Sequence, residues 1–260
     1  MRPLMPRISS KNHSYIYFVN IKVLVSMSLT FTLTGNKPNL KSYFYPAIEL
    51  NPNKNYRLGL TRLVVFNSIP NIEQGINNKF VYYEKNKSDK KKEILIPEGS
   101  YEVNDIAKYL RERLEIDDLI LQPNNNTLKC EIKSKTYDID FRSQNTIGRL
   151  LGFSPQILKA GKDTHISDLQ VDIVSVHTIR VECNIVQGAY FNNKSSHTLY
   201  EFSPNVDPGF MINLVPNHII YLNINTKRID NITCKIVDQL GRPVNFRGEH
   251  ITIGLELQEV

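Results

Sequence analysis

Strict alternation of apolar and polar residues recurs along most of this 260-residue chain, and a period of two is compatible only with half-buried β-strands. Leu29, Phe31 and Leu33 take one face while Thr30, Thr32 and Thr34 take the other. Leu58 and Leu60 stand against Arg57, Gly59 and Thr61. The cleanest run sets His177, Ile179, Val181, Cys183 and Ile185 against Thr178, Arg180, Glu182 and Asn184. The pattern returns at Ile220 to Ile224, at Ile232 to Ile236, and at Ile251 to Leu257. Turn chemistry separates the runs at Asn51 to Asn55, Pro123 to Asn126, Pro204 to Gly209 and Asp238 to Gly241. About ten or eleven strands without repeats or a linker predict an all-β fold, a single antiparallel β-sandwich over 27–260, eight strands of which fill two four-stranded sheets.

One stretch breaks the period. In Glu93 to Glu115, Val103, Ile106, Ala107, Leu110 and Leu114 fall on one helical face, with Ser100 as the expected N-cap, Glu102 and Asp105 in the first turns, and Arg111 and Arg113 near the end. A second short helix is expected at Thr146 to Leu151, stopped by Gly152 and with Phe153 packing at the exit. Leu128 to Ile132 and Tyr137 to Phe141 alternate between them, so residues 97–153 read as a helix-hairpin-helix insertion.

The net charge of +6 is unevenly placed: Arg2, Arg7, Lys11 and Lys22 give residues 1–26 four positive charges and no acid. This leader lacks a cleavage site and is too short and polar to span a bilayer. It reads as a non-native or disordered extension, with Met27 as the native start and no membrane association. The remaining basic density, Lys85, Lys87, Lys90, Lys91 and Lys92, reads as a solvated hairpin tip without an aromatic platform; weak electrostatic contact with packaged nucleic acid stays open.

Cys130, Cys183 and Cys234 are odd in number, far apart and on apolar strand phases, which predicts reduced core thiols. The six histidines are scattered without metal-ligand spacing, and no nucleotide-binding or nucleophile-elbow motif occurs, so no catalytic residue, metal or cofactor is assigned. Asp138 and Asp140 share a strand face and, with Asp117 and Asp118, are expected to be solvated. The aromatic groups at Phe44 to Pro46, Gly188 to Phe191 and Tyr200 to Phe202 serve core and subunit contact equally well.

Five stretches in order, Ser28-Leu-Thr-Phe-Thr-Leu-Thr-Gly35, Ile96-Pro-Glu-Gly-Ser-Tyr101, Ile147-Gly-Arg-Leu-Leu-Gly-Phe153, Ile179-Arg-Val-Glu-Cys-Asn184 with Gly188-Ala-Tyr190, and Ile229 through Asp238-Gln-Leu-Gly241 to Gly248, resemble the minor capsid, or penton, protein of Polinton/Maverick elements and adintoviruses. The resemblance implies a jelly roll that sits as a homopentamer at the vertices of an icosahedral capsid beside a double-jelly-roll major capsid protein. It also implies a virion location, with assembly in the host nucleus or cytoplasm, and no enzymatic activity. Expected anchors of the subunit interface are Tyr190, Phe191, Tyr200 and Phe210. Two other readings stay open, a domesticated host protein and a receptor- or carbohydrate-binding β-sandwich.

Overall fold

The computed structural model describes residues 27–114 and 118–260; the leader and Asp117 lie outside them. The chain opens with β1 (Ser28–Gly35), β2 (Asn39–Glu49) and β3 (Tyr56–Phe66). It then builds β4 (Lys79–Glu84), β5 (Lys92–Leu95), α1 (Val103–Leu114), β6 (Ile120–Asn124) and β7 (Lys129–Lys133). After these come β8 (Tyr137–Asp140), β9 (Ile157–Leu158) and β10 (His165–Ile166). The return begins with β11 (Ile179–Cys183), the hairpin β12 (Ala189–Phe191) and β13 (Lys194–Ser196), and β14 (Thr198–Phe202). It finishes with β15 (Met211–Leu214), β16 (Tyr221–Asn223), β17 (Arg228–Asp238) and β18 (Ile251–Glu259).

Two sheets make the sandwich. One runs β1-β18-β3-β15, with β16 pairing further along β3, and the other runs β14-β11-β17-β2. With β15 and β16 taken as one interrupted position, the sandwich strands in chain order fall as first-eighth-third-sixth over second-seventh-fourth-fifth, all antiparallel. That is the double Greek-key order of a jelly roll. The alternation of the sequence becomes its core: Phe31, Leu33, Leu58, Leu60, Val181, Cys183, Ile232, Cys234, Ile253 and Leu255 all point into the interior. Burial of this apolar surface is the main favourable term holding the sheets together, at about 25 cal/mol per Å².

A second, separate core lies in the segment between β3 and β11. Here α1 lays Ile106, Ala107, Leu110 and Leu114 against Leu119, Leu121, Cys130 and Ile132, flanked by the sheets β10-β7-β6 and β5-β4-β8-β9. The chain therefore leaves the sandwich at Phe66 and rejoins it at Ile179. Its boundaries lie outside the expected 97–153, because β4 and β5 alternate like sandwich strands and only their pairing, with β8 and with each other, places them elsewhere.

The helix-hairpin-helix expectation is corrected. α1 is present, but residues 146–151 form a single turn rather than a second helix. Six residues containing Gly148 cannot repay helix nucleation. A Cβ at Gly148 would stand 2.6 Å from the Phe141 ring, so close packing holds glycine there. The expected stop is real: Gly152 has φ +81°, its amide donates to Arg149 O at 3.0 Å, and the Phe153 amide donates to Gly148 O at 2.8 Å, a Schellman closure. Ser100 does not cap α1. Its hydroxyl donates to Ile69 O, tying the insertion to the sandwich, while the Asp105 carboxylate accepts from the Glu102 amide at the helix start.

Candidate assembly surfaces

Edge strands decide what a sandwich can present. The short β1–β2 connection puts those strands on one side of the molecule, and β14, β15 and β16 lie at the opposite edges of the two sheets. Along β2, Phe44 turns inward and packs edge to face on Phe31 at 5.5 Å. Its neighbours must then point outward, and Tyr43 is 73% and Tyr45 102% exposed. The Lys41 ammonium lies 4.5 Å from the centre of the Tyr43 ring. On the other side, Phe210 is 63% exposed beside the exposed Met211 at the start of β15.

The four expected anchors separate into two kinds. Tyr190 and Phe210 stand in solvent. Tyr200 sits opposite Val181 and packs against the sandwich core, so its ring is largely committed. Phe191 lies under the Arg180 guanidinium at 3.8 Å. Arg180 is buried, donates to Asp238 O at 3.3 Å, and leaves its Nε without a partner, so Phe191 is the group that shields this charge. Asn192 and Asn193, both at positive φ, turn the β12–β13 hairpin that carries Tyr190 and Phe191. Tyr45 belongs to the Phe44–Pro46 group expected to serve core or subunit contact, whereas Tyr43 is not among the expected residues. The signal was the two-residue spacing of tyrosines around an inward phenylalanine.

A cleft of about 720 Å³ opens where the insertion meets the sandwich, lined in part by Asn71, Tyr101, Asp105, Val176 and Asp207. Asn71 is fully engaged there: its Nδ2 donates to Tyr101 O and Ile173 O, and its Oδ1 accepts from the Tyr101 amide. The lining polar groups thus brace the junction. Among the described residues no group of three His, Cys, Asp or Glu is placed to hold a metal ion, and no helix is long and apolar enough to cross a membrane.

Asp138 and Asp140 are corrected from solvated to buried. β8 lies between β4 and β9 and is buried on both faces: Ile139 enters the insertion core, and the two carboxylates lie on the opposite face beneath their cations. Asp138 accepts from the Ala160 amide at 2.7 Å and from Lys159 Nζ at 2.8 Å. Asp140 accepts from Arg142 Nε and Nη2 at 2.9 and 3.0 Å and from Lys91 Nζ at 2.7 Å. The Arg142 guanidinium, with help from Lys91, holds the Asp140 carboxyl well below the usual carboxylate range although burial opposes this. These ion pairs close a structural layer.

No protein-family model matches the chain, and no curated protein matches it. Among solved structures, the crystal structure of the selenomethionine-labelled mavirus penton protein is similar over 90% of this chain and 100% of that one, at 13% sequence identity and a TM-score of 0.48.

Proposed function

We propose that this protein is a structural capsid subunit of the penton type, encoded by a Polinton/Maverick-like element, that closes into a ring of five at an icosahedral vertex and contacts a double-jelly-roll major capsid protein. The observation that carries the reading is the jelly roll with exposed aromatic side chains toward both of its opposite edges, Tyr43 and Tyr45 on β2 and Phe210 at the start of β15, with Tyr190 exposed on the β12–β13 hairpin. A ring closed by rotation needs two different lateral surfaces on each subunit, and exposed aromatics toward both edges support that reading. Rigid aromatic anchors are the side chains that carry most interface energy. The resemblance of the five ordered sequence stretches supports the family and the virion location in this reading.

The test is mass photometry of the full chain, alone and with the major capsid protein of the same element. Pentamers, or incorporation at capsid vertices, are expected. A strict monomer that also stays out of co-assembled capsids would leave the domesticated binding protein as the better reading.

A further inference from the structure

Away from the sandwich, the insertion ends in three turns that are distant in sequence and adjacent in space. The near end of β4 and β5 is fixed by the Gly99 and Ile72 amides, each donating to the other's carbonyl at 3.0 Å. Their far end is the β4–β5 turn with Lys85 and Lys90, and Lys92 opens β5 beside it. The Lys85 amide donates to Thr136 O at 3.0 Å, joining this turn to the β7–β8 turn and its Lys135. Gly161 N donates to Ser134 O at 2.9 Å, which brings in the loop after β9 and its Lys162.

All five lysines are exposed, and none forms an ion pair among the described residues. Of the carboxylates around them, Glu84 is paired with Lys87, Asp138 with Lys159, and Asp140 with Lys91 and Arg142; Asp118 accepts from the Lys135 amide and the Thr136 hydroxyl at 2.9 and 2.8 Å, and Asp89 and Asp163 are exposed, so three acids stand against the five free ammoniums. Two buried acids held by three cations leave the surface more positive, so what it shows to solvent is strongly cationic. Sequence alone could not assemble this patch, since Lys85 and Lys162 are joined only through the β7–β8 turn.

The chemistry of the patch selects its ligand. Lysine ammoniums are point charges suited to phosphate oxygens without the fork geometry that arginine imposes. The nearby rings, Tyr82 and Tyr137, pack edge to face on each other at 5.1 Å, so they form no platform for unstacked bases. Four adjacent strand ends at about 4.8 Å spacing span about 14 Å, the rise of roughly four phosphates on one strand of B-form DNA. We infer that this tip binds the sugar–phosphate backbone of duplex DNA by sequence-independent ion pairing. The inference stands on the insertion alone and does not depend on ring closure.

The experiment is fluorescence anisotropy of the full chain with two 30-base-pair duplexes of unrelated sequence, over 50–200 mM NaCl. Equal affinity for both duplexes is expected, with a log–log salt slope of about −4 and a loss on the order of a hundredfold across that range. The variant K85Q/K90Q/K135Q should flatten the slope by about 2.7 and weaken binding at least tenfold, while K37Q/K235Q on the sandwich should change neither. Circular dichroism checks that each variant is folded. An unchanged slope in the tip variant would overturn the inference, and so would dextran sulfate displacing labelled DNA at fewer charge equivalents than unlabelled DNA does. Mass photometry of the same samples reads ring formation separately, so a failure of either proposal is recognised without the other.

Discussion

At the residue scale, the buried carboxylates show how far a two-residue spacing can be taken. Asp138 and Asp140 had to share a face of β8, but that this face is buried as well as the Ile139 face depends on β4, β9 and the covering loops, which no local pattern encodes. Asp140 is fully buried while its partners Lys91 and Arg142 are about half exposed, so the array is neither a dry ion pair nor a surface one. Asp140→Asn removes the charge that Lys91 and Arg142 pair with; because both cations are about half exposed, it should destabilise the insertion by about 2–3 kcal/mol at pH 7, somewhat less than the roughly 3–5 kcal/mol that breaking a fully buried pair costs. The folded carboxyl titrates below its unfolded value of about 3.9. Its stabilisation is therefore fully present above that value and is lost as the pH falls below it. Urea unfolding of the two proteins at a series of pH values should show a constant gap above pH 5 that narrows below pH 4. A gap that stays the same down to pH 2 would mean that the charge is not what Asp140 contributes.

At the element scale, what could be read from sequence were the features with a local cause: the strands, α1 with its apolar stripe, and the Gly152 stop. What could not be read was membership, because β4 and β5 look like sandwich strands until their partners are known. The consequence is two cores, and the cysteines report on each. Cys130 lies in the insertion core, and Cys183 sits directly opposite Cys234 in the sandwich core; all three thiols are free and buried. Burial pushes the Cys130 thiol up to about 12, so labelling requires that the insertion open. In mild urea, maleimide labelling followed by peptide mass spectrometry should modify Cys130 at a different rate from the Cys183 and Cys234 pair. Leu110→Ala removes a fully buried side chain from α1 at a cost of about 3 kcal/mol, and should speed Cys130 labelling on the order of a hundredfold while leaving the pair nearly unchanged. Equal acceleration at all three cysteines would show that insertion and sandwich open as one cooperative unit.

At the scale of the whole molecule, the jelly-roll order was reachable from the sequence only through the family resemblance, since the order of strands in a sheet is a property of long-range pairing. Of the four aromatic anchors expected from the sequence, the fold leaves Tyr190 and Phe210 mostly exposed, 78% and 63%, and it exposes Tyr43 and Tyr45 on the edge opposite Phe210. That placement changes the kind of contact available. If every anchor lay on one side, the natural product would be a two-fold dimer made from the same patch twice; anchors on opposite sides favour a head-to-tail contact that continues around a ring. Mixing separates the two cases. Y43S/Y45S should disable one lateral surface and Phe210→Ser with Met211→Ser the other, each giving monomers because every contact in the ring needs both surfaces. Combined in equal amounts, the two variants still hold one intact surface of each kind, so they should form a one-to-one dimer that cannot grow further, since both of its outer surfaces are disabled. Native mass spectrometry with one variant isotopically labelled reads that stoichiometry directly. Larger species in the mixture, or dimers formed by either variant alone, would place the subunit contact elsewhere on the sandwich.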